Sequence, residues 1–158
     1  METNPYAKYL GERDPLETIR ETAGVIRGLL ERMPAEQLEQ RPPGKRWNAR
    51  EIVCHLADCE LVFSFRLKQT LAENGPVLQP FDQEKWALRY ENLDTGSALR
   101  MFEACRRWNV LLLEATTAEE RLRPATHPER GTMTLWTIAE TMGGHDINHL
   151  LQLERLAG

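Results

Sequence analysis

An all-α fold, a four-helix bundle with long crossover loops, is predicted by three features of the sequence. Apolar residues recur at three- and four-residue steps in four long stretches, the signature of helices with one buried face. Three of these stretches open on residues that cap helices, Asp14, Asn48 and Thr134. No segment alternates polar and apolar residues as a half-buried strand does, and there are no internal repeats or low-complexity tracts. Amphipathic helices joined by long connections bury their stripes against one another as a bundle. At 158 residues the chain is expected to be a single domain, 1–158, large enough for a real core.

Residues 1–13 carry Pro5, Tyr6, Tyr9 and Gly11 without a helical period and are expected as an extended arm. Asp14-Pro15-Leu16-Glu17 then starts the first helix, with Asp as N-cap, Pro at the first helical position and Glu three residues after the cap. Leu16, Ile19, Ala23, Ile26 and Leu30 continue the stripe to about Arg32, where Met33-Pro34 stops it. Arg41-Pro42-Pro43-Gly44 suits no regular element. The second helix follows Asn48, which can cap while Glu51 completes the capping box and Trp47 staples onto Ile52. It is expected from about Ala49 to Leu71, ending before Glu73-Asn74-Gly75-Pro76.

Gln79 to Ala87 reads as a loop entering a short helix capped by Asp82, a crossover whose aromatics can wall a pocket at one end of the bundle. The third helix is expected from near Ser97 to about Thr116, with Ala98, Met101, Phe102, Cys105, Trp108 and Leu112 on its inward stripe as core support. Trp108, Leu111 and Leu113 spread apolar character round more than one of its faces, which suggests a homodimer. Arg123 to Gly131 is a loop that holds His127 among turn residues. The fourth helix takes Thr134 as N-cap and runs to about Leu156. Gly143-Gly144 inside it costs about 1 kcal/mol per glycine relative to alanine. That cost points to a close backbone approach or space beside a ligand, with a helix break as the competing reading.

Charge and composition exclude several functions. A net charge of -4 with dispersed lysines and arginines leaves no electrostatic footprint for nucleic acid. No apolar run approaches the roughly 20 residues of a membrane span, and Met1-Glu2-Thr3-Asn4-Pro5 is unlike a signal peptide, so a cytoplasmic protein is expected. Cys54, Cys59 and Cys105 are odd in number and lack C-x-x-C spacing, so they imply neither a disulfide framework nor a zinc knuckle. Cys59, one turn beyond His55, can touch a metal ion held there or act as a thiol nucleophile; the simpler reading is a small buried apolar residue.

The chemistry is carried by histidines. His145 and His149 are four residues apart and project from one helical face, where Leu135, Ile138 and Met142 run into them at three- and four-residue steps. His55 occupies the apolar stripe of the second helix between Ile52 and Cys59. Each alone is compatible with a satisfied core histidine. Three unpaired rings buried together are costly, and a borderline-soft divalent ion with a coordination position left open removes that cost. The pattern has no glutamate beside the first histidine of the pair and is not that of a zinc protease. Histidine ligation alone does not choose between zinc, nickel, iron and manganese.

Three segments together resemble the DinB-like (YfiT-like) superfamily of bacterial four-helix metal-binding proteins. They are Trp47-Asn48-x-x-Glu51-Ile52-x-x-His55-Leu56-Ala57-Asp58-x-Glu60, Phe81-Asp82-Gln83-x-x-Trp86-Ala87, and Gly143-Gly144-His145-Asp146-x-x-His149-Leu150-x-Gln152. The resemblance spans nearly the whole chain. It implies one divalent ion, often zinc or nickel, held by His55, His145 and His149. It also implies thiol transferases of bacillithiol or mycothiol type, or hydrolases, and frequent homodimers.

An open three-histidine ion lowers the pKa of a bound water or thiol and so provides a nucleophile at neutral pH. The expected function is therefore a metal-dependent transfer of a low-molecular-weight thiol to a small electrophile. Hydrolysis at the same site, or a non-catalytic metal-stabilised stress-response module, are the alternatives. Asp58, Glu60 and Asp146 can orient imidazoles or act as bases, the competing role being charge on a solvated face. Arg46 and Arg66 can receive an anionic cosubstrate, the competing role being that of ordinary surface residues.

Overall fold

The caps set the ends of the long helices in the computed structural model, which describes residues 3–44 and 47–158. The supposed N-terminal arm contains a turn of helix, α1 (Ala7–Leu10), entered through Asn4, whose side chain accepts the Tyr6 N–H at 3.0 Å. Four residues cannot display a helical period, so the sequence pattern concealed it. Helix α2 (Pro15–Arg32) starts on Asp14, which accepts the Glu17 N–H at 2.8 Å. A short α3 (Ala35–Glu39) follows. Helix α4 (Ala49–Ala72) carries the expected capping box, with Asn48 and Glu51 exchanging bonds of 2.9 Å. Asp82 caps α5 (Gln83–Ala87), and a 3-10 turn, Tyr90–Asn92, leads to α6 (Thr95–Glu114). Helix α6 opens two residues before the expected Ser97 because Asp94 accepts the Ser97 N–H at 2.7 Å, making Asp94 the cap.

After α7 (Ala118–Arg121), the expected loop contains a hairpin. Strand β1 (Pro124–His127) pairs antiparallel with β2 (Gly131–Thr134), and the turn is closed by Gly131 at φ 81°. Strands this short show too little alternation to be legible in sequence, and the pairing completes them. Helix α8 (Leu135–Ala157) then runs unbroken through Gly143 and Gly144.

Helix α2 packs on α6 and α8, and α4 packs on the same two, so α2 and α4 face across the diagonal of the bundle, as do α6 and α8. The chain makes those diagonal crossings between the end of α2 and the start of α4, and between the end of α6 and the start of α8. Apolar side chains gather in two clusters. Ile26, Leu30, Ile52, Leu56, Phe102 and Leu153 belong to one, and Ile19, Phe63, Leu67, Leu113, Ile138 and Met142 to the other. On each of the four long helices the residues between these clusters include buried polar ones: Thr22, His55 with Glu60, Arg106 with Asn109, and His145 with Asp146 and His149.

The inward face of α6 differs from the expected stripe. Its buried residues are Ala98, Phe102, Arg106, Asn109, Val110 and Leu113, whereas Trp108 is 59% exposed and Cys105 only half-buried. Hydropathy places tryptophan inside and arginine outside; carboxylates from two neighbouring helices reverse that order here. Leu113 is core, while Trp108 and Leu111 face outward.

Candidate metal centre

His55 comes from the middle of α4, and His145 and His149 from successive turns of α8, which packs against α4. The three rings form a triangle with centroid separations of 4.5, 4.9 and 5.1 Å. All three are buried, as their helical phase predicts. His55 Nε2 and His145 Nε2 face each other at 3.0 Å. Only one of two neutral rings can donate a proton across that gap. Two nitrogens bound at about 2.0–2.1 Å to one ion lie roughly 3.0–3.4 Å apart, so the spacing suits a shared divalent cation.

Electrostatics point the same way. Burial, then the neighbouring His149 and His55, hold His145 well below the usual histidine range, leaving a neutral ring with a free lone pair. Its Nδ1 is buried without a hydrogen-bond partner among the described residues. The donors are soft enough for a first-row divalent ion, and the arrangement fits one.

Aromatic rings wall the triangle. Trp47 lies 4.6 Å from His55 and is stacked on His149 at 6.1 Å, while Tyr6 meets His145 edge-on at 5.1 Å. Tyr6 reaches this position because α1 lies directly on α8. A Cβ added to Gly144 would stand 2.4 Å from the Tyr6 carbonyl oxygen, and one on Gly143 would stand 3.0 Å from Leu10 Cδ1. The glycine pair thus serves a close backbone approach, one of the two readings its cost suggested, and the helix does not break.

A cavity of about 420 Å³ opens on the His55 and His149 side, with Tyr6, Trp47, Gln83, Asn148, Gln152 and Arg155 in its wall. The crossover contributes Gln83 to that wall. Its aromatics pack elsewhere, Phe81 against Trp86 at 4.8 Å and against the second apolar cluster.

The carboxylates near the histidines are not on a solvated face. Glu60 and Asp146 are each 1% exposed and converge on Arg106, which was missed in the sequence. Arg106 Nη2 donates to Glu60 at 2.7 Å and to Asp146 Oδ1 at 3.0 Å, and Nη1 donates to Asp146 Oδ2 at 2.5 Å, to the Ile19 carbonyl and to Thr22. Asn109 donates to the other Glu60 oxygen at 2.9 Å. Asp58 accepts the Tyr90 hydroxyl at 2.9 Å, and burial pushes its carboxyl up. The only sequence signal for Arg106 is its heptad-like spacing from Ala98, Phe102 and Leu113, which hydropathy outweighs.

His127 lies outside the triangle, in a small second cavity with Arg66 and Arg130. Arg66 is a buried residue, not a surface one; it donates to the Gln79 carbonyl at 2.9 Å, stands 3.4 Å from His127 Nε2, and does not line the large cavity. Arg46 lies outside the described residues. Cys59 Sγ is within 3.5 Å of His55 Nε2. No helix is long and apolar enough to cross a membrane among the described residues.

Comparison with known proteins places the chain in a family. The profile of the DinB superfamily matches residues 18–153. A candidate metal-dependent hydrolase of Oceanobacillus iheyensis is 31% identical over 123 residues, covering 77% of this chain and 71% of its own. The candidate metal-dependent hydrolase YfiT of Bacillus subtilis is 26% identical over 152 residues, covering 90% of this chain and 84% of its own. The solved structure of YfiT, described as a four-helix bundle of unusual topology, aligns with a TM-score of 0.80 at 24% identity, covering 89% of this chain and 84% of that one. That likeness establishes the shared fold. The chain belongs to the DinB superfamily.

Proposed function

We propose that this DinB-superfamily chain is a metal-dependent enzyme in which His55, His145 and His149 hold one divalent ion, zinc or nickel, at the floor of the cavity. The observation that carries the reading is the 3.0 Å approach of His55 Nε2 to His145 Nε2 inside a buried triangle of three rings. An ion bound there supplies positive charge that lowers the pKa of a thiol or water brought to it.

The protein's own side chains prepare the rest. The neutral His145 ring presents a lone pair, and Trp47 and Tyr6 exclude bulk water from two sides of the triangle. Gln83, Asn148, Gln152 and Arg155 offer hydrogen-bond donors along the wall, which suits a small molecule with polar or anionic groups. About 420 Å³ accommodates a small electrophile beside a low-molecular-weight thiol. Transfer of that thiol to the electrophile is the activity we infer. Hydrolysis is the second reading, favoured by the names of the relatives as candidate metal-dependent hydrolases.

The proposal includes a homodimer. Leu61 and Phe65 on α4 and Trp108 and Leu111 on α6 are exposed apolar residues on adjoining helices, and Lys68 Nζ lies 5.7 Å from the Trp108 ring, which ties the two faces together. A dimer at tens of micromolar by light scattering is the expected result. The reaction is tested by following thiol consumption with electrophilic acceptors, using native, metal-stripped and His149→Ala protein. Turnover by native protein alone, dependent on thiol, supports the transferase. Thiol-independent turnover supports the hydrolase, and equal rates in all three proteins overturn metal-dependent catalysis.

A further inference from the structure

Cys59 sits one helical turn beyond His55 on the buried side of the triangle, away from the large cavity, whose wall it does not join. Its Sγ is 3.5 Å from His55 Nε2 and 3.8 Å from His145 Nε2, and these three donor atoms lie within 4.8 Å of one another. Helical phase explains the placement. A residue four positions after His55 shares its face, and that face meets α8 where His145 emerges. Sulfur at about 2.3 Å and nitrogen at about 2.1 Å from one tetrahedral ion stand roughly 3.6 Å apart. Both observed separations are close to that value, and the two histidine nitrogens are themselves at ligand spacing.

We propose that Cys59 is a fourth protein ligand of the ion, bound as thiolate, so that a substrate arriving from the cavity side adds as a fifth ligand. The inference rests on the reading of the histidines as a metal centre. On binding, the Cys59 S–H bond breaks, its electron pair makes the sulfur–metal bond, and the proton leaves to solvent. A thiolate ligand biases the site toward borderline-soft ions over magnesium or manganese. It also explains a cysteine placed against two imidazoles, where an apolar side chain would pack as well.

The competing arrangement is a neutral S–H that donates to an imidazole. Cobalt(II) titration with optical detection separates the two, because visible ligand-field bands report ion binding of any kind, whereas a near-ultraviolet charge-transfer band requires a sulfur–cobalt bond. Native protein is expected to show both, as is a Cys54→Ala/Cys105→Ser variant in which Cys59 is the sole cysteine. Cys59→Ser should keep the visible bands, lose the charge-transfer band and release about one proton fewer per ion bound. Visible bands without charge transfer in the native protein would overturn the role of Cys59 and leave the histidine site standing. Absence of both would overturn the metal centre itself. The sole-cysteine variant decides the question even if Cys59→Ser does not fold.

Discussion

The Arg106 cluster and the histidine cluster lie side by side on α4 and α8, equally buried, and differ in how their charges and protons are balanced. Arg106 meets two carboxylates, a hydroxyl and a carbonyl, so its terminal nitrogens are satisfied within the chain and only Nε lacks a partner among the described residues. The histidines face one another and Cys59, an arrangement of nitrogen and sulfur donors turned toward a common centre. Adjacent sequence positions serve opposite ends: His145 belongs to one cluster and Asp146 to the other. Opposite charges that meet within the fold make a structural cluster, whereas donor atoms of one kind gathered at ligand spacing suit a cation.

The comparison is broken most severely from the closed side. Arg106→Ala leaves Glu60 and Asp146 buried without their counter-ion and should cost about 3–5 kcal/mol in denaturant unfolding. A loss below about 1 kcal/mol would mean that the cluster is replaceable by solvent.

Stripping the ion acts on the open side and should leave the bundle folded, because both apolar clusters persist. Restoring zinc at a hundred times its dissociation constant should raise stability by about 2.7 kcal/mol in native protein and far less in His149→Ala. Equal stabilisation of both proteins would place the ion elsewhere.

Gly144→Ala sharpens the contrast by moving one wall only. The new methyl would meet the Tyr6 carbonyl at 2.4 Å, so α1 must shift from α8 at a cost of about 1–3 kcal/mol. Turnover should fall, while amide exchange in the hairpin of β1 and β2 stays as in the native protein. Gly28, with nothing within 4 Å of an added Cβ, is the control; Gly28→Ala should stabilise α2 by up to about 1 kcal/mol.

The smallest effect is on pH dependence of the metal-free protein. His145 is held below its ordinary value of 6.5, so the unfolded chain binds more protons than the folded one beneath that pH. Its contribution is intact above about 6.5 and is lost as the pH falls toward the lowered folded value. Glu60, pushed up by burial, acts with the opposite sign, so the variant is compared with native protein at each pH. His145→Asn should flatten the fall in unfolding midpoint on acidification, and an unchanged slope would assign it to other groups.

The sequence by itself determined what depends on neighbours a few residues away. Asp14, Asn48 with Glu51, Asp82 and Thr134 cap the helices they were expected to cap, because a cap is a bond to the next turn. The inward phase of His55, His145 and His149 followed from the same short-range periodicity. Tertiary structure decided which faces meet. Arg106 is buried where α4 and α8 bring it Glu60 and Asp146, while Trp108 on the same helix faces outward. Likewise α1 exists as a docked turn because Gly144 lets it approach, β1 because β2 pairs with it, and Cys59 meets His145 because α4 lies against α8. Each of these rests on groups distant in sequence, whose proximity no local pattern encodes.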